Sequence, residues 1–145
     1  VSWLSLTRSA LLQAGDADTD SQSLATIVGW TSGGAEAVLL RAFGAHGLRD
    51  RLDPSQLSSW QTAVHYQLIH AIALLVVGVW LLQSGPVPLR YAGAFFLAGV
   101  VLFSGSIYVL ILTSTTWLGP FTPLGGLCLM VGWAAMIYAG ISAQD

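Results

Sequence analysis

Four apolar runs separated by short polar connections follow one another along the 145-residue chain. They cover residues 24–48, 60–82, 90–112 and 124–141. A helix needs about 20 residues to cross the hydrocarbon core of a bilayer, and each run supplies that length or comes close to it. The connections carry helix signals of their own. Asp53-Pro54-Ser55-Gln56 predicts a helix start, with Asp53 as N-cap, Pro54 at the first helical position and Gln56 closing a capping box. The second helix therefore begins at Pro54, ahead of its membrane part. Thr122-Pro123 predicts a similar start for the fourth helix. The break between the second and third helices falls at Ser84-Gly85-Pro86-Val87-Pro88. Short connections make successive helices antiparallel neighbours. The pattern predicts an all-α, integral membrane, four-helix up-down bundle.

Residues 1–23 do not fit that pattern. VSWLSLTRSALLQ has the spacing of a short amphipathic helix, and GDADTDSQS is an acidic linker. Together they predict a peripheral N-terminal arm on a transmembrane domain of residues 24–145. Aromatic residues predict two interfacial belts. Trp60 and Trp117 stand on the side of the first and third connections, and Trp80, Tyr91 and Tyr138 on the other. Orientation does not follow, because Arg49 and Arg51 on one side balance Arg8 and Arg90 on the other.

Composition strengthens the membrane reading. The chain is 54% hydrophobic and only 8% charged, where soluble domains carry about 25% charged residues. So few charges cannot cover a globular surface, and lipid must solvate most of the chain. There is no lysine, and the formal net charge is −2. A nucleic-acid partner is therefore not expected. The single cysteine, Cys128, cannot form an internal disulfide.

Polar chemistry collects near the first connection. Gln67 and His70 share a face of the second helix, and His46 ends the first helix on the same side. Ser104 and Tyr108 approach that side from the third helix. These five residues predict an interhelical polar layer inside one interface. Its simplest role is hydrogen bonding that fixes helix register, worth about 0.6 kcal/mol per bond. A proton or solute pathway is the rival role. No spacing of His, Cys or carboxylates matches a metal set, and no nucleophile motif, carboxylate pair or phosphate loop is present. Neither enzyme activity nor a metal or other cofactor is expected. A bound lipid is compatible with the pattern, whereas a pigment or haem is not called for.

Glu36 and Arg41 are the anomaly, since both interrupt the first span. A charge at the bilayer centre costs about 2.5–3.5 kcal/mol on insertion scales. Gly29, Gly33, Ala37, Arg41 and Ala45 recur every four residues, and such small stripes admit another helix closely. One reading has Arg41 reach the interface while Glu36 is protonated or hydrogen-bonded. The other makes Gly29, Gly33, Glu36, Ala37 and Arg41 a contact surface for another subunit.

Five blocks now stand in order: RAFGAHGL, WQTAVHYQLIHAIALL, LFSGSIYVLIL, TPLGG and GW. Over residues 24–141 this resembles the small membrane-protein family of transmembrane protein 256 and the bacterial proteins grouped as domain of unknown function 423. The resemblance implies a four-helix membrane bundle and brings no enzymatic activity. Its eukaryotic members are associated with mitochondria, which implies the inner membrane. The chain departs from the family pattern at Glu36, at Arg41 and in the added arm. These departures lead to an expected role as a non-catalytic accessory subunit of a multi-subunit energy-transducing complex, a respiratory one first. A photosystem subunit in a plastid thylakoid membrane, a protein of a bacterial plasma membrane, and a small transporter or channel built on the histidine layer are the alternatives.

Overall fold

The computed structural model describes residues 32–83, 85–114 and 116–143. These residues form four helices, with no strand among them. The first, α1, covers residues 32–46; α2 is Pro54–Leu82, α3 is Pro88–Thr113 and α4 is Phe121–Ser142. A single 3-10 turn, Thr116–Leu118, lies between α3 and α4. Helices α2, α3 and α4 are each long and apolar enough to cross a membrane. The expected arm at residues 1–23, the first part of the expected first span and Gly29 lie outside the described residues.

The start of α2 follows from its sequence. The Asp53 carboxylate accepts from the backbone N–H groups of Ser55 at 2.8 Å and Gln56 at 2.9 Å. Gln56 Oε1 accepts from the Asp53 N–H at 3.2 Å, so the capping box is complete. At 1.5 Å per residue, a helix of 29 residues is about 43 Å long. The hydrocarbon core is about 30 Å thick. The excess places the polar first turns of α2 in the headgroup region.

Two features of α3 and α4 differ from expectation. First, α3 is not a uniform α-helix: Val101–Gly105 form one π-helical turn in its middle. Second, α4 begins at Phe121, with Pro120 before it, so Thr122 lies inside the helix and does not cap it. Its hydroxyl instead meets the Ser106 hydroxyl of α3 at 2.7 Å. A hydroxyl in an apolar medium needs a partner, and the neighbouring helix supplies one.

Two apolar clusters hold the helices together. Ala73, Leu74 and Val77 of α2, Leu89 and Phe96 of α3, and Leu129 and Ala139 of α4 form the larger one. Leu48, Trp60, Val64 and Ile111 form the smaller one, near the first connection. The α3–α4 contact is the most extensive. It depends on close approach, because a Cβ at Gly132 would lie 2.6 Å from the Phe96 ring and one at Gly125 would overlap the Phe103 backbone. Large apolar side chains such as Leu39, Ile72, Val101, Met130 and Ile137 remain exposed on the outer surface. In a bilayer that surface faces lipid or another membrane protein.

Candidate functional site: a polar seam inside the bundle

The polar layer forms along the face of α2 that meets α1 and α3. Gln67 is its centre. Gln67 Nε2 donates to the Gly33 carbonyl of α1 at 3.2 Å, and the Tyr108 hydroxyl of α3 donates to Gln67 Oε1 at 2.8 Å. One side chain thus ties three helices. Beside it, the Ser104 hydroxyl donates to the Ala63 carbonyl of α2 at 2.8 Å. Ser104 sits in the π turn of α3, which shifts the following residues around the helix relative to an unbroken α-helix. Ser106, just after the turn, donates to the Phe103 carbonyl at 2.9 Å and meets Thr122.

His70 belongs to a second group that points to α4. His70 Nδ1 is 2.8 Å from the Tyr66 carbonyl, and the Trp133 indole N–H donates to His70 Nε2 at 3.2 Å. A carbonyl only accepts and an indole N–H only donates. The two contacts therefore fix one neutral tautomer, with the hydrogen on Nδ1. Both ring nitrogens are committed, so neither is free to ligate a metal or relay a proton without breaking a bond. Phe96 and Trp133 pack around the ring, with centroids 5.5 and 6.1 Å from it. No group of three His, Cys, Asp or Glu residues that would hold a metal occurs among the described residues.

The expected layer is thus drawn together with one exception. Gln67, Tyr108 and Ser104 cluster, and His70 lies one turn further along α2 with its own partner. His46 does not join. Its side chain is exposed at the end of α1, where the chain has reached the polar first connection and water can satisfy an imidazole. Of the two histidines expected in the layer, His70 is the buried one. Trp60 also departs from expectation. It is 1% exposed and is not an interfacial belt residue. Its indole N–H donates to the Leu40 carbonyl at 3.0 Å, and its ring lies against Gly44 and Tyr108. Trp117, Tyr91 and Tyr138 are exposed, as belt residues would be.

The small-residue stripe of α1 faces inward only in part. Ala37 is 1% exposed, and the Gly33 carbonyl receives Gln67. Of its described members only Ala37 is buried; Gly33 is half-buried, and Arg41 and Ala45 are exposed. The close approach to α2 falls outside the stripe, at Gly44, where a Cβ would lie 2.5 Å from the Trp60 indole, whereas a Cβ at Gly33 meets nothing within 4 Å. Glu36 and Arg41 lie on the two flanks of that inward face and are exposed. Neither has an ion-pair partner among the described residues.

Sequence reasoning did not assign Trp133 as the partner of His70, the bond from Trp60 to α1, or the π turn. An indole N–H in a membrane helix is itself the signal for the first two, since it too requires an acceptor.

A family model described as a protein of unknown function, DUF423, matches residues 40–126. Bacterial membrane proteins are similar over most of their length. A UPF0382 membrane protein of Staphylococcus aureus (strain bovine RF122) is 42% identical over 103 residues, which is 71% of this chain and 84% of that protein. The UPF0382 membrane protein YwdK of Bacillus subtilis (strain 168) is 42% identical over 106 residues, 72% of this chain and 86% of its own. One from Staphylococcus haemolyticus is 43% identical over 96 residues, 66% of this chain and 78% of its own. No solved structure matches the chain.

Proposed function

The chain belongs to the DUF423 family, and from that premise and the seam geometry we propose that it is a non-catalytic accessory subunit of a larger energy-transducing membrane assembly. The observation that carries this reading is the contrast between the inside and the flank of the bundle. Inside, Gln67, His70, Ser104 and Tyr108 are bonded to groups of their own chain, and no buried side-chain polar atom among the described residues lacks a partner. On the flank, Arg41 stands exposed on α1 without a carboxylate partner among the described residues. A neighbouring subunit that supplies one removes the cost of a lone charge in lipid. The exposed apolar face of α1, with Val38, Leu39 and Phe43, continues that surface.

The similar proteins described above are bacterial, which favours a bacterial plasma membrane. The mitochondrial inner membrane and a respiratory host, expected from the resemblance, draw no support from them. Gentle detergent extraction and native electrophoresis test the reading. The chain is expected in a band far above its own 15.3 kDa, and Arg41→Leu is expected to release it. Migration of the unaltered chain alone or as a small oligomer contradicts the reading and favours a small transporter, for which the cleft beside Glu36 is the supporting observation.

A further inference from the structure

Between α1, α2 and α3 lies a cleft of about 320 Å³, lined by Glu36, Gln67, Leu97, Ser104, Gly105 and Tyr108 among others. That volume is at the small end of the range for ligand pockets, about 300–1,000 Å³. The cleft adjoins the π turn, and its walls are mainly apolar. Glu36 is ten residues before His46, the last residue of α1. At 1.5 Å per residue the carboxyl is anchored about 15 Å along the helix from that end, well inside a hydrocarbon layer about 30 Å thick.

The polar groups of the cleft are unequal. The Tyr108 O–H is committed to Gln67, one Gln67 N–H to the Gly33 carbonyl, and the Ser104 O–H to the Ala63 carbonyl. What remains beside the cavity is the second Gln67 N–H as a donor and, as acceptors, the Tyr108 oxygen, the second lone pair of Gln67 Oε1 and the Glu36 carboxyl; Ser32, which also lines the cleft, has a partner of its own. Ionised Glu36 accepts only. It has no ion-pair partner among the described residues. The Tyr108 ring adds a face that attracts cations.

We propose that this cleft binds a small lipid-soluble amine, with Glu36 as counter-ion to its ammonium and the Tyr108 and Gln67 oxygens as further acceptors. An anion would meet the Glu36 carboxylate, and a neutral carbonyl compound would leave that carboxylate without a counter-charge. The ammonium of a phospholipid headgroup stays at the interface and does not reach this depth. The site does not rest on the accessory role, since the residues that line it belong to this one chain.

Gly105 supplies a clean control. A Cβ there meets nothing within 4 Å, so Gly105→Leu extends into the cleft without striking the backbone. The experiment is equilibrium binding of radiolabelled octylamine to the full chain purified in micelles, competed by unlabelled octylamine, octanol or octanoate. Saturable binding with one site per chain is expected, at least tenfold more sensitive to octylamine than to the other two. Glu36→Gln is expected to weaken it tenfold or more, and Gly105→Leu to abolish it with the helical circular dichroism unchanged. Absence of saturable binding, equal competition by octanol, or undiminished binding by Glu36→Gln overturns the proposal. So does a native assembly in which a partner helix fills the cleft.

Discussion

Gly125 and Gly105 stand one turn of structure apart in their consequences. Gly105 is the last residue of the π turn of α3, and Gly125 lies on α4 against Phe103 of that turn. At Gly125 a methyl group would overlap the Phe103 backbone, which has no rotamer with which to yield. At Gly105 the same methyl group enters open space. Overpacking a close contact typically costs about 1–3 kcal/mol, whereas alanine in place of a helical glycine gains up to about 1 kcal/mol. Gly125→Ala is therefore expected to lower the thermal unfolding midpoint in micelles, and Gly105→Ala to leave it unchanged or raise it. Equal effects at the two positions would show that the helices approach elsewhere. Residue types alone did not separate these glycines. Both sit in apolar helical sequence, and only the placement of Phe103 makes one of them indispensable.

Helix boundaries were legible where side chains cap the backbone locally. Asp53, Pro54 and Gln56 satisfy the first turn of α2 from within four residues, so no knowledge of the rest of the fold was needed. Asp53→Ala removes the acceptor for two backbone N–H groups and is expected to cost about 1 kcal/mol, read as a lower denaturation midpoint. Thr122-Pro123 carries a similar cap-plus-proline signal but a different outcome, because the Ser106 hydroxyl on α3 is a partner that no local pattern reveals. The π turn of α3 was not legible for the same kind of reason. It brings Ser104 to the Ala63 carbonyl and Ser106 to Thr122, and both rewards lie on other helices. The inward turn of α1 also depends on its neighbour. Small residues every four positions announce a close helix contact, but the close approach to α2 falls instead at Gly44, against Trp60.

For the whole molecule, hydrophobic runs and short connections were enough to give four helices in sequence, and three of them are long and apolar enough to span. Most members of the polar layer were legible too, because Gln, Tyr and Ser in apolar helices at one depth have few partners except one another. His46 was the exception, since its depth is that of the first connection. What the residues do for the molecule follows from lipid as solvent. Lipid tails provide no hydrophobic force between helices, so close packing and hydrogen bonds must hold the bundle. Gln67 is the point where α1, α2 and α3 are tied at once. The most direct test of that claim is a double-mutant cycle of Gln67→Leu and Tyr108→Phe, read by reversible unfolding of the purified chain in micelles. A seam that ties the helices predicts that each change destabilises the chain and that the two are coupled by about 0.6 kcal/mol, and by no more than about 2. Additive effects with no coupling, or two variants as stable as the parent chain, would contradict it.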